Sequence, residues 1–201
     1  MAKSSRTASG QARSPRADAR RNVEAILDAA RQCLAADPNA TVAQIAKRAG
    51  VGRVTLYGHF PTRAELVDAT FRRVSKDAEA VLEGIDTSGD AVEALARLVA
   101  ATWQLVHRTS AVLAAAEREL PTERLREHHD SHLARLQTLV RRGRRDGAFR
   151  TDLPEGWLVT TAYAVMHAAA AETQAGRLDT DAAGQAVVKT LVAAFRPPPA
   201  E

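Results

Sequence analysis

Apolar residues recur along most of this chain at intervals of three and four, the spacing of one helix face, and strand-like alternation is weak throughout. Val23, Ile26, Leu27, Ala30 and Leu34 share a face and predict a first helix over about 17–36, closed by Asp37-Pro38-Asn39. Thr41, with Gln44 three residues on, forms a capping box ahead of a second helix whose Val42, Ile45, Ala46 and Ala49 turn inward. Lys47 and Arg48 point away. Gly50 can take the left-handed conformation that ends this helix, and Val51 plugs the space before the next. A short third helix follows from Gly52, with Leu56 and Phe60 on its buried side and Arg53, Val54, Thr55, Tyr57 and His59 largely outside. Thr62 and Glu65 form a second capping box, with Pro61 and Leu66 as its staple. They open a long helix running through Leu66, Phe71, Val74 and Val81 to Gly84.

A break at residues 86–90 separates this unit from five further helices, at about 89–107, 110–119, 121–145, 154–176 and 180–195. Pro121 and Pro154 stand at helix starts, where a missing N–H costs nothing. The pattern is all-α, about nine helices in all. Three parts are expected: a disordered basic arm over 1–17, a three-helix unit over 18–64, and a larger helical domain over 65–201. The penultimate helix leaves almost no polar face, from Trp157 through Tyr163 and Met166 to Ala171, and the last helix has a broad apolar face from Ala182 to Phe195. Such helices need cover on two sides, which predicts that two copies of the pair form a four-helix homodimer interface.

Charge sharpens the reading. Residues 1–84 hold 14 Lys+Arg against 9 Asp+Glu, so the positive excess lies with the short helices near the amino end. Helix, Gly turn and short helix make a helix-turn-helix, whose second helix lies in the major groove of DNA. Arg53 and Thr55 can donate to base edges or phosphates, and Val54 can meet a thymine methyl. Tyr57 and His59 sit where a phosphate backbone would pass, and Arg63 at a helix N-terminus offers an anion site. The first 22 residues set Lys3, Arg6, Arg13, Arg16, Arg20 and Arg21 against Asp18 alone, and a basic arm of this kind either enters a minor groove or is a solvated tail.

The run from Thr41 to Leu66, TVAQIAKRAGVGRVTLYGHFPTRAEL, resembles the DNA-binding signature of the TetR family of bacterial transcriptional regulators. Gly52 stands where that family usually has Ser or Thr, and Arg63 where it usually has Lys. The resemblance implies backbone contacts from Thr41, Tyr57, His59 and Arg63, and base reading by Arg53, Val54 and Thr55. It also implies a repressor that binds a pseudo-palindromic double-stranded operator as a homodimer, and a small-molecule effector, unidentified, inside the second domain. Candidate pocket residues are Trp103, His107, His129, His132, Tyr163, Met166 and His167, a mix suited to a mainly hydrophobic ligand.

Other chemistry is thinly supported. His128 and His132 lie four apart, a spacing that can chelate, but no clear third ligand follows, and no metal or cofactor is expected. Glu117, Glu119, Glu123 and Glu127 read as surface charges paired with Arg118, Arg124 or Arg126. No Gly-rich phosphate loop, nucleophile elbow or metalloprotease motif occurs, so no enzyme is expected. The competing classes are an enzyme housed in the carboxy-terminal helices and a non-specific architectural DNA binder. A lone Cys33 and the lack of any apolar run near ~18 residues point to a reduced, cytoplasmic setting away from membranes.

Overall fold

The computed structural model describes residues 15–199, apart from the side chains of residues 15, 126 and 128–132. Of the disordered arm expected over 1–17, residues 1–14 lie outside the described residues, as do the His128, His129 and His132 side chains. Residues 15–17 are not disordered but form the first turn of a helix, which Pro15 opens where its missing N–H costs nothing. What is described is helical: α1 (Pro15–Ala36), α2 (Val42–Ala49), α3 (Arg53–His59), α4 (Arg63–Glu83), α5 (Ala91–Glu119), α6 (Thr122–Arg145), α7 (Glu155–Gln174) and α8 (Thr180–Phe195). No helix among the described residues is long and apolar enough to cross a membrane.

The short helices form for the reasons the sequence carries. Thr41 caps α2 in a complete capping box: its hydroxyl accepts from Gln44 N and the Gln44 side chain accepts from Thr41 N. Gly50 ends α2 at φ 69, in the region glycine occupies without strain, and the α2–α3 turn follows at once. Gly52 precedes α3 in extended geometry but supplies no side-chain cap. Ile26, Ala30, Ile45, Leu56 and Leu66 are fully buried and join α1, α2, α3 and the start of α4 into one cluster. Burial of Leu56 alone is worth about 1.5–3 kcal/mol, which fixes which face of α3 looks out.

A second cluster joins the lower halves of α1 and α4 to the end of α5, through Leu34, Ala40, Val67, Phe71, Val112 and Ala116. Arg124 of α6 adds a two-toothed ion pair to Asp68 of α4, at 2.9 and 3.0 Å. The third and largest cluster packs α5 against α6, α7 and α8 around Leu95, Trp103, Val140, Phe149, Leu191 and Phe195. Phe149, on the α6–α7 connection, lies directly on the bare face of Gly143 and meets Phe195 edge-on at 5.8 Å. Arg150 then ties the connection to the end of α8 through Arg150 N–Phe195 O at 2.9 Å, and a forked pair with Asp152 holds that carboxyl below its usual range.

One expected break is absent. The helices expected at 89–107 and 110–119 are the single helix α5, of 29 residues. Thr109 and Ser110 do not interrupt it because their hydroxyls donate back to Leu105 O and His107 O, both at 2.8 Å.

Candidate nucleic-acid interface and interior cavity

The outer face of α3 carries Arg53, Val54, Thr55 and Tyr57, all exposed, while Leu56 between them is fully buried. Val54 is 88% exposed, the extreme among the large apolar side chains of the molecule that are described. An isolated exposed valine is ordinary; one at the centre of a polar, cationic face on a locked helix is suited to a methyl contact. His59 is half-buried at the end of α3.

Thr41, Tyr57 and Arg63 come together from three helix ends to line one open groove, which also includes Asn39, Arg118 and Glu119. Within it the Thr41 hydroxyl is already engaged with Gln44, accepting at 3.3 Å and donating at 2.8 Å. Arg63 is not a free cation. Its Nε donates to Glu119 at 2.8 Å, its Nη2 to Pro38 O at 3.0 Å and its Nη1 to Ala40 O. Glu119, expected to pair with Arg118, Arg124 or Arg126, instead holds a residue 56 positions earlier. Arg118 likewise reaches away from its helix and donates to the Asn39 side chain. Nothing in the sequence marks these pairings, because they depend on where α5 ends relative to the α1–α2 connector.

The larger domain encloses a cavity of about 90 Å³ between α4, α5, α6 and α7. Its wall is mostly aliphatic, with Phe71 and Val74 from α4 and Leu113 from α5, and with hydroxyls from Ser75, Thr102 and Thr109. Tyr163, Met166 and His167 of α7 line it, and the Tyr163 and His167 ring centres lie 4.0 Å apart. Trp103 and His107 do not. The residues of α5 that face the cavity include Thr102, Val106, Thr109 and Leu113; one step along a helix turns a side chain by about 100° and carries Trp103 toward α8. There Trp103 is buried against the Cα side of Gly184 and stacks on His107, whose ring nitrogen lies 3.5 Å from the Thr173 hydroxyl. Cys33 is half-buried among the amino-terminal apolar clusters, a packing position.

Outside the cavity, α7 and α8 each present an exposed stripe with almost no charge. Trp157, at 58% exposure, heads a stripe of exposed Thr160, Ala164, Ala168 and Ala171 at helical spacing. Beside it α8 exposes Ala182, Ala186, Lys189 and Ala193 in the same register.

Residues 26–70 match the model of the bacterial regulatory proteins, tetR family. The HTH-type transcriptional repressor LfrR of Mycolicibacterium smegmatis is 32% identical over 155 residues, which cover 74% of this chain and 77% of that protein. Among solved structures, LfrR from Mycobacterium smegmatis in complex with proflavine is similar with a TM-score of 0.65 and 27% identity, over 88% of this chain and 97% of that one. FadR from Bacillus subtilis in complex with stearoyl-CoA gives a TM-score of 0.70 at 20% identity, over 86% and 99% of the two chains, a likeness of fold.

Proposed function

The chain belongs to the tetR family of bacterial regulatory proteins, and from that premise we propose that it regulates transcription by reading a pseudo-palindromic operator as an effector-responsive homodimer. It is a DNA-binding transcriptional regulator. The observation that carries the finer reading is the split of α3 into a fully buried Leu56 and an outward Arg53, Val54 and Thr55. Arg53 is assigned a base edge and Val54 a thymine methyl; Thr55 reads beside them. Thr41, Tyr57 and His59 position the backbone, Thr41 by exchanging part of its bonding with Gln44 for a phosphate oxygen. The reading gives the protein no catalytic step.

The homodimer is assigned to the α7–α8 face. Its alanines allow two helix pairs to approach closely, and Trp157 supplies the large apolar contact expected of an interface anchor. Twofold pairing of this kind carries two copies of α3 to successive major grooves, about one helical turn apart.

The effector is assigned to the interior cavity. LfrR and FadR are solved with proflavine and stearoyl-CoA respectively, and the apolar wall here suits a largely hydrophobic molecule. At about 90 Å³ the cavity is well below the roughly 300–1,000 Å³ of a drug-sized site. An effector must therefore spread the walls, and one wall is α4, whose first turn carries the reading unit. A ligand that favours the spread arrangement shifts the population away from the DNA-competent one.

Selection of bound duplexes from random DNA tests the reading. The expected product is an inverted repeat with half-sites about one turn apart; retention of all sequences equally, with only a steep salt dependence, would instead identify a non-specific binder. Proflavine and stearoyl-CoA are the first probes for release of the selected duplex.

A further inference from the structure

We propose that Glu119 is a positioning residue for DNA binding: it holds Arg63 against the α1–α2 connector and keeps that guanidinium off the phosphate backbone. The inference rests on the DNA-binding reading above. All three guanidinium nitrogens of Arg63 already have protein acceptors, in Glu119, Pro38 O and Ala40 O. The connector is gripped a second time by the neighbouring residue of the same helix, through Arg118 to Asn39. This end of α5 is firmly seated, since Val112, Ala115 and Ala116 are buried against α1 and α4.

The groove that holds the pair is the one lined by Thr41 and Tyr57. A phosphate seated against those two residues lies beside Arg63 and faces the Glu119 carboxylate. The Arg63 and Glu119 side chains are 26% and 29% exposed, so water and salt reach the ion pair and its net worth is modest. An arginine released from Glu119 can exchange its fork onto a phosphate oxygen with little loss. Glu119 is thus set where its presence or absence decides whether Arg63 serves the fold or the DNA.

The test uses the full chain and a mixed-sequence duplex, with binding measured between about 50 and 200 mM salt, for the unaltered protein, E119Q, R63Q and the double variant. Each phosphate contact adds about 0.9 to the slope of log K against log salt. E119Q is expected to steepen the slope by that amount, an extra affinity change of about 3.5-fold across the range. R63Q should leave the slope of the unaltered protein as it is, and R63Q should abolish the gain in the double variant. An unchanged slope in E119Q overturns the proposal. So does a gain that survives in the double variant, which would be plain repulsion by the Glu119 charge, and so does a slope lowered by R63Q alone, which would put Arg63 on DNA already. If R63Q fails to fold, E119D takes its place: it keeps the charge but draws it back from Arg63. A steeper slope in both E119Q and E119D then supports release of the guanidinium, and a steeper slope in E119Q alone is plain repulsion and overturns the proposal. An unaltered protein that binds no duplex at all sinks the DNA-binding reading and this one together.

Discussion

Replacing Gly143 by alanine tests how the α6–α7 connection is built, because the usual rule gives the opposite sign. In an open helix interior, Gly→Ala stabilises by about 0.5–1 kcal/mol. Here the added Cβ would lie 2.2, 2.4 and 2.8 Å from three carbons of the Phe149 ring. Ordinary carbon contacts are about 3.5–4.0 Å, so the ring must retreat by more than about 1 Å. It has nowhere to go: Phe149 is 2% exposed, stands edge-on to a fully buried Phe195, and its own N–H and that of Ala148 bond to Gly143 O at 3.1 and 2.8 Å. Overpacking of this kind costs about 1–3 kcal/mol, and complete expulsion of the ring approaches the roughly 3–5 kcal/mol of a Phe→Ala truncation. Set against the helix gain, the expected net loss for G143A is about 1–3 kcal/mol. In urea unfolding followed by circular dichroism the midpoint falls with m unchanged, and thermal scans shift down by about 2–4 °C per kcal/mol. Adding F149A should cost far less in the G143A background than alone, since the clash and the cavity offset one another. A G143A protein as stable as the parent would refute the reasoning.

Other outcomes follow from the same structure. R53A should lose about 1–3 kcal/mol on the selected operator and little on its variants at one base pair; an equal loss on every sequence would contradict a base contact. Y57F should weaken binding evenly across sequences, and a changed base preference would remove Tyr57 from the backbone set. A164E places two like charges in the proposed α7–α8 interface, so sedimentation should show a dimer for the parent and a monomer for the variant; a dimeric A164E points to another interface. The Asp152 carboxyl has a folded pKa below its usual 3.8, chiefly from its hydrogen bond with Arg150. Its stabilisation is therefore complete above 3.8 and lost as pH falls through the lowered value. The thermal midpoint of D152N should lie below the parent's above that pH and converge with it in stronger acid; parallel curves would contradict the assignment.

Much of the reading unit is legible in the sequence because its determinants are local. Thr41 with Gln44, the turn at Gly50 and the spacing of Leu56 and Phe60 each act within four residues, and each has the expected geometry. Tyr163, Met166 and His167, candidates that came from the family resemblance and from their aromatic and polar chemistry, line the interior cavity. Trp103 and His107 lie away from that cavity, because α5 is covered on several sides and a resemblance does not say which neighbour each of its residues meets. The break expected between 107 and 110 does not occur, because the Thr109 and Ser110 hydroxyls bond back to the preceding turn and leave the helix continuous. The Arg63–Glu119 pair joins residues 56 apart, and no spacing rule reaches that far. The pocket candidates His129 and His132 of α6 fall among the side chains that are not described.

The continuity of α5 has a mechanical consequence. Leu113 on the cavity wall and Glu119 at the groove are separated by six residues of one unbroken rod, about 9 Å, with no joint between them. Pressure from inside the domain then reaches the amino-terminal reading head along a single strut rather than through a relay of loops. Taken from Leu105, which also lines the cavity, the rod to Glu119 is fourteen residues or about 21 Å and includes Thr109 and Ser110. Its compliance at that segment thus becomes a property on which selection can act: a softer rod would blunt the response while both of its ends stayed unchanged.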